Sequence, residues 1–259
     1  MRKLTDSYVK NKEAVYNILR VDANFDVICK KLYFADSEAC FFYIDGFVKD
    51  TVMQKLMTHF LSVKKAPSGA GDFATKNLPY VEVDVVTDID VMINMVLSGA
   101  TLMLSDSFGA EAIVIDTRTY PARNTEEPEG DRVMRGSRDG FVETLIFNTS
   151  LIRRRIRNPA LTMRYLSVGE DSKSDVVLCY MSDRADLGYV EKLDRKLRGI
   201  KTDSLVMGHE SLKECLVKSR WYNPFPKIRT TERPDSAAAQ LLEGSVLIII
   251  DNSPQVMIL

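Results

Sequence analysis

The sequence predicts an α/β protein of two small subdomains, each a mixed β-sheet packed with helices. The first observation is that short apolar runs typical of strands alternate with amphipathic helical segments in both halves. The second is a stretch rich in proline, glycine and acidic residues, 120–136, which has the composition of a linker. We therefore expect the first subdomain at 1–119 and the second at 137–259.

The first half is expected to begin with a helix and to continue with a strand at 39–46, ACFFYIDG. Asp50 follows that strand at the start of a segment with apolar residues at helical spacing, so it is a candidate cap for a second helix. Residues 64–79, which are rich in glycine, alanine and lysine, are predicted to form a flexible loop.

The rest of the first half alternates in the same way. YVEVDVV at 80–86 is typical of a strand, Asp88 is placed to cap a helix, and Gly99 stands where that helix would end. Residues 100–105 and 111–118 are expected to be two strands of a hairpin, because a turn-like DSFGA separates them. The methionines on both predicted helix faces are interpreted as core.

The second half is expected to open with a long helix that starts at an N-cap, Ser137, and stops at Pro159. Its apolar stripe would comprise Phe141, Val142, Leu145, Ile146, Ile152 and Ile156. Two strands at 161–169 and 175–182 follow, and then a helix at 186–200 that would bury Leu187, Val190, Leu193 and Leu197. The remaining predicted elements are a strand at 203–208, a helix around Leu212 and Leu216, a strand at 227–232, a helix at 234–244 and a strand at 245–251.

The overall charge excludes broad electrostatic attraction to nucleic acid. The chain has 35 Lys and Arg against 36 Asp and Glu, so no net field would steer it to a polyanion. Cys29, Cys40, Cys179 and Cys215 are scattered, which favours neither a disulfide framework nor a zinc site and suggests a reducing compartment. The start of the chain is not a signal peptide, and no apolar run is long enough to cross a bilayer.

The arginines around the predicted 137–159 helix are the strongest local charge in the sequence. Arg153, Arg154 and Arg155 are about 100° apart around a helix, so at least one must lie beside the buried stripe. One interpretation is that they complement the helix dipole and pair with the acidic linker. The other is that they form, with Arg135 and Arg138, a surface for an anion or a protein partner.

Glu232 and Arg233 precede the predicted 234–244 helix, where Pro234 and Asp235 suit the first turn. Adjacent side chains in an extended segment point to opposite sides, so Glu232 and Arg233 cannot neutralise each other. We predict a separate partner for each: an acid of its own subdomain for Arg233, or otherwise a neighbouring subunit.

Three long segments, 115–159, 166–183 and 221–254, resemble the GerA family, the A-type subunits of spore germinant receptors. The resemblance is strong from about residue 80 onward and weak before it. The motif GSRDGF, residues 136–141, stands where the family usually has GPREGF, while IDTRTYPAR and WYNPFPKIRTTERPD are close to family motifs.

The resemblance implies a domain on the cytoplasmic side of the spore inner membrane, followed in the natural chain by a membrane domain. It implies a role in germination and ion release, as an assembly or regulatory module of a membrane channel. The implied partners are further copies of the same chain, germinant receptor subunits and a small membrane protein.

The two other classes of function are an enzyme and a small-molecule binding module. No catalytic residue, metal ligand or cofactor is assigned, because His59 and His209 look structural and the glycines of SGAGD lack the lysine of a phosphate loop. A small-molecule binding module remains the alternative, since two α/β subdomains can hold a ligand in the cleft between them.

Overall fold

The computed structural model describes residues 2–65, 68–80, 82–119, 137–201, 208–216 and 228–259. The chain divides into two compact units, Met1–Pro121 with Arg157–Pro159, and Ala122–Ile156 with Ala160–Leu259. The α/β fold with two subdomains is thus confirmed. The predicted linker, 120–136, the predicted strand at 203–208 except its last residue, and Arg135 lie outside the described residues.

Unit 1 has four α-helices and five strands in its described part. In chain order they are α1 (Tyr8–Leu19), β1 (Val27–Phe34), β2 (Ser37–Ile44), α2 (Asp50–Ser62), α3 (Ala70–Lys76), β3 (Val83–Val86), α4 (Ile89–Leu97), β4 (Thr101–Ser105) and β5 (Ala112–Ile115). The sheet order is β1-β2-β4-β5-β3. Helices cover both faces: α1 and α4 pack on a core that includes Phe42 and Leu102, and α2 and α3 on one that includes Phe41, Phe60 and Phe73.

Unit 2 is built in the same way. Its described elements are α5 (Leu145–Arg155), β6 (Leu161–Val168), β7 (Ser174–Met181), α6 (Leu187–Arg198), α7 (His209–Leu216), β8 (Arg229–Thr231), α8 (Pro234–Leu242), β9 (Leu247–Ile250) and β10 (Val256–Ile258). The sheet order is β6-β7-β9-β10-β8. One face packs against α6 and α7, through Leu193 and Leu212 among others, and α5 and α8 pack together against strands β7 and β9.

The described sheets are antiparallel, and the expectation of mixed sheets was wrong in this respect. The sequence predicts successive strands connected by a helix, and strands connected in this way are usually parallel neighbours in a sheet. Strands β3 and β4 do run the same way on either side of α4, but β5 lies between them and is antiparallel to both. Strands β8 and β9 are separated in the same way by β10.

The two units therefore share one topology, although the sequence shows no repeat. Each has a helix, a hairpin, two helices, a short edge strand, one helix and a second hairpin whose last strand inserts beside the edge strand. Local details repeat too: Gly99 and Gly244 follow α4 and α8 with φ of 104° and 101°, the left-handed conformation that favours glycine after a helix.

Three predicted elements differ from the structure. Helix α5 begins at Leu145 with Thr144 as its N-cap, so the predicted start at Ser137 was wrong; 137–144 is an extended approach to the helix. The predicted flexible loop at 64–79 contains α3, because Phe73 is buried among aromatic rings. Leu187 is 51% exposed, since it occupies the first turn of α6 beyond the edge of the core.

Several predicted features are confirmed. Asp88 caps α4 by accepting hydrogen bonds from the backbone of Asp90 and Val91, and Met92 is fully buried in the core. His59 has a structural contact, a ring nitrogen 2.6 Å from the carbonyl oxygen of Asn77. Across the described ranges, no helix is both long and apolar enough to span a bilayer.

Candidate functional site

The three consecutive arginines at the end of α5 have three different environments. Arg153 is 1% exposed and its Nη1 donates to the carbonyl oxygen of Leu161, 3.2 Å away. Arg154 is exposed, and Arg155 is half-buried. These environments confirm the prediction that the three side chains cannot share one solvent face. The physical reason is that a helix rotates successive side chains by about 100°.

Arg155 joins α5 to the segment that precedes it. Its Nη1 donates to the carbonyl oxygen of Leu151 at 2.9 Å, and its Nη2 forms an ion pair with the carboxylate of Asp139. The Ser137 hydroxyl also donates to Asp139 and lies 3.4 Å from Nη2 of Arg155. The guanidinium group thus fixes 137–139 against the helix.

Arg233 reaches the same segment from the N-terminus of α8. Its Nε and Nη2 donate to the two carboxylate oxygens of Asp235, at 3.1 and 2.5 Å. Nη2 also lies 3.5 Å from the carbonyl oxygen of Ser137. The Glu232 carboxylate accepts from the Gln255 side-chain amide at 3.0 Å. Glu232 and Arg233 therefore have separate partners, as predicted.

Two arginines and two aspartates form this cluster, which we call the 137–139 brace: Arg155, Arg233, Asp139 and Asp235. Burial raises the pKa of the Asp139 carboxyl, but the hydrogen bonds from Arg155 and Ser137 outweigh it and hold the pKa below its ordinary range. The pKa of Asp235 is lowered in the same way, mainly by Arg233 against the cost of burial. The two positive and two negative charges of the brace neutralise each other. The guanidinium groups of Arg155 and Arg233 therefore stabilise the fold and are already engaged by carboxylates of the same unit.

Arg138 and Arg154 remain at the surface beside the brace. Arg138 stands between Ser137 and Asp139, Arg154 precedes Arg155, and both side chains are exposed. Of the described arginines of the predicted surface, Arg153 is thus buried, Arg155 belongs to the brace, and Arg138 and Arg154 are exposed.

Asn148, which was not predicted as a functional or structural residue, is fully buried near the start of α5. Its side-chain oxygen accepts from the backbone N–H of Val142 at 2.8 Å, and its amide donates to the carbonyl oxygen of Val142 at 2.6 Å. The backbone N–H of Phe141 donates to the carbonyl oxygen of Glu232 at 2.8 Å. An asparagine in the middle of a predicted helix was the available signal, because that residue competes with the backbone for hydrogen bonds.

A second feature is an open groove of about 530 Å³ in unit 1, beside α4 and the strands β3 and β5. Its polar lining includes Glu82, Asp84, Asn94, Asp116 and Arg118. Hydrogen bonds from Arg118 lower the pKa of Asp116 against the effect of burial. In the described ranges, no three His, Cys, Asp or Glu side chains are arranged to hold a metal ion.

Residues 15–259 match the family model described as Bacillus/Clostridium GerA spore germination protein. The chain belongs to the GerA family.

Among its relatives, the chain is similar to stage V sporulation protein AF of Bacillus subtilis (strain 168), with 39% identity over 96% of the chain and 51% of the relative. It is 30% identical to the uncharacterized membrane protein YfkQ of the same organism, over 95% of the chain and 48% of that protein. Spore germination protein B1 of Bacillus subtilis is 28% identical over 91% of the chain and 49% of its own length. The chain spans about half the length of these relatives.

One solved structure has the same fold along the whole chain. The N-terminal domain of the A subunit of the Bacillus megaterium spore germinant receptor GerK3 matches with a TM-score of 0.69 and 21% identity. The match covers 99% of this chain and 96% of that domain. The family model and the sequence relatives confirm the predicted family, and the chain is a domain of the kind found in spore germination proteins.

Proposed function

We propose that this chain is a cytoplasmic domain of a spore inner-membrane protein and acts as an assembly and regulatory module of a channel that releases ions during germination. The observation that carries this proposal is the match of residues 15–259 to the GerA family model. The description of one relative, YfkQ, as a membrane protein supports the membrane association.

The contact surface of the module is assigned to Arg138 and Arg154. Arg153 is buried, and Arg155 and Arg233 form ion pairs with Asp139 and Asp235. These three arginines therefore stabilise the structure beneath the contact surface. Exposed guanidinium groups suit carboxylates on a protein partner. The partners we propose are further copies of the chain, germinant receptor subunits and a small membrane protein.

A charge reversal tests this assignment in spores. Arg138→Glu with Arg154→Glu, placed in the protein as it occurs in the spore, should slow ion release on germination and reduce co-purification of germinant receptor subunits. Lys192→Glu is the matched control, because Lys192 is exposed on α6 of the same unit. Normal release and co-purification in the double variant, at normal protein level, would contradict the proposal.

Small-molecule binding is the second candidate function, and the groove in unit 1 favours it. Its volume of about 530 Å³ is in the range of small-molecule sites. Three lining carboxylates, Glu82, Asp84 and Asp116, against the one guanidinium of Arg118 would favour a ligand that carries an amine. The alternative location, between the subdomains, stays a prediction.

A thermal-shift screen with amino acids, sugars and nucleosides tests the second candidate. A ligand selective for the folded state should raise the Tm, and Asp84→Asn should reduce the rise. Asp171→Asn, at an exposed aspartate in unit 2, is the control. If Asp84→Asn left the ligand-induced rise in Tm unchanged, the ligand would bind outside this groove. If no compound raised the Tm, binding of amino acids, sugars and nucleosides would be rejected.

A further inference from the structure

Cys29 and Cys40, which are 11 positions apart in the sequence, lie next to each other in unit 1. Strands β1 and β2 are joined by a two-residue turn, Ala35 and Asp36, in which both residues have positive φ. The resulting register pairs Cys29 with Phe42 and Lys31 with Cys40. Cys29 and Cys40 are therefore diagonal neighbours on one face of the hairpin, because alternate residues of a strand share a face.

The two sulfur atoms are 2.8 Å apart. A disulfide bond is about 2.05 Å long, so closing one requires only a small displacement of the side chains. All four cysteines of the chain are thiols in this structure. The sequence alone predicts no disulfide framework, because the proximity of these two cysteines depends on the hairpin register.

The surroundings make the two thiols unequal. Cys29 is half-buried on β1, one of the two edge strands of the sheet, whereas Cys40 is fully buried on β2. The hydrogen bond with Cys40 lowers the pKa of the Cys29 thiol, and the positive charges of Lys12 and Lys31 lower it further. The same hydrogen bond and burial raise the pKa of Cys40. Cys29 is thus the more accessible and the more acidic thiol.

The cover over the pair comes from α1 and is held in place by one carboxylate. Glu38 accepts hydrogen bonds from the Tyr8 hydroxyl at 3.1 Å, from the Lys12 ammonium at 2.9 Å and from the Tyr33 hydroxyl at 3.2 Å. These contacts keep the Lys12 ammonium close to the hairpin face that carries both cysteines.

We propose that Cys29 and Cys40 are a reversible oxidation site, at which a hydroperoxide oxidises Cys29 and Cys40 then closes an intramolecular disulfide. The Cys29 thiolate attacks one peroxide oxygen, an S–O bond forms, the O–O bond breaks, and the leaving hydroxide or alkoxide takes a proton. The Cys40 thiol loses its proton and attacks the sulfur of Cys29, forming the S–S bond while hydroxide leaves with that proton as water. Two thiols and one hydrogen peroxide give one disulfide and two waters.

The disulfide would join the edge strand β1 covalently to β2, and an added dithiol would restore both thiols. The inference is independent of the proposed function. The exposed Cys215 in α7 provides an internal comparison, because exposure alone would make it the first thiol to be oxidised.

The test treats the folded protein with hydrogen peroxide and then unfolds it in N-ethylmaleimide before trypsin digestion and mass spectrometry. Cleavage after Arg20, Lys30, Lys31 and Lys49 puts the cysteines on separate peptides, 21–30 and 32–49. We expect these peptides to appear joined, two hydrogens lighter than their sum, and to separate on addition of dithiothreitol. Cys215→Ala should leave the joined peptide unchanged.

The variants separate the roles of the two sulfurs. Cys40→Ala should accumulate a sulfenic acid at Cys29 that dimedone labels, and Cys29→Ala should leave Cys40 unlabelled. If a variant folds poorly, the joined peptides from the wild-type protein still test whether the disulfide forms. Recovery of both cysteines as maleimide adducts, at a peroxide dose that oxidises Cys215, would overturn the proposal, as would a disulfide between Cys29 or Cys40 and a different cysteine.

Discussion

Asn148 repeats in unit 2 the two backbone hydrogen bonds that Asn11 makes in unit 1. Asn11 accepts from the N–H of Thr5 and donates to its carbonyl oxygen, and Asn148 does the same with Val142. Each asparagine is the fourth residue of its helix and contacts a residue six positions earlier. In both units the clamp fixes the extended chain that enters the first helix.

The clamp predicts a stability loss at Asn148. Asn148→Ala leaves the N–H and C=O of Val142 without these partners and should lower the free energy of unfolding by about 1–3 kcal/mol. Urea denaturation measures the change. Asn94→Ala, at an exposed position of α4, is the control and should be within about 0.5 kcal/mol of wild type. An equal effect in both variants would show that the clamp adds nothing.

The same substitution should lower stability much more at Arg153 than at Arg154. Arg153→Gln removes a buried guanidinium that bonds Leu161 and should destabilise by about 2–4 kcal/mol, because it leaves a cavity and an unsatisfied carbonyl. Arg154→Gln, one residue further, should change stability by less than about 0.5 kcal/mol. Thermal melts of both variants decide this, and similar melting temperatures would contradict the placement of Arg153.

The 137–139 brace predicts a dependence of stability on pH. The pKa of Asp139 is lowered in the folded state, so its contribution is present above the unfolded value of about 3.9 and is lost as pH falls through the folded pKa. Asp139→Asn should therefore melt below wild type near neutral pH, and the two melting temperatures should converge as the pH falls through the lowered pKa of Asp139 in the folded state. Melting curves across that window measure it; Asp171→Asn is the control, and a constant difference at all pH values would rule out the carboxylate.

The composition of residues 120–136 predicts the first site of limited proteolysis. A stretch with little to bury and with arginines at 123, 132 and 135 should be cut by trypsin before either subdomain. Residues 64–78 should be cut later than their composition suggests, because α3 buries Phe73. First cuts within 186–200, on α6, would contradict the proposed boundary between the domains.

The elements that depend on local signals were predictable. Asp88 at the start of α4 and Gly99 and Gly244 after α4 and α8 act through the nearest backbone, so the sequence indicates them directly. The start of α5 was predicted wrongly, because the segment before it is held by Asn148 and by the backbone of Glu232, which is distant in sequence. The insertion of β5 and β10 beside an edge strand is likewise decided by tertiary pairing.

The candidate site was predictable in its residues and not in its geometry. The consecutive positions of Arg153, Arg154 and Arg155 on a helix predicted that they could not share one face. The adjacency of Glu232 and Arg233 predicted that each has its own partner. Which arginine is buried depends on the packing of α5 against the sheet, which no local pattern encodes. The pairing of Cys29 with Cys40 required the hairpin register as well.

The shared topology of the two units is what duplication and fusion of one ancestral module would leave. The correspondence extends to single hydrogen bonds: Leu4 donates to the carbonyl oxygen of Thr87, just as Phe141 donates to that of Glu232. Each half then serves as a reference for the other, and positions where they disagree mark specialisation. One such position is the N-cap of the helix that follows the edge strand β3 or β8, where the first half has the capping aspartate Asp88 and the second half has Arg233.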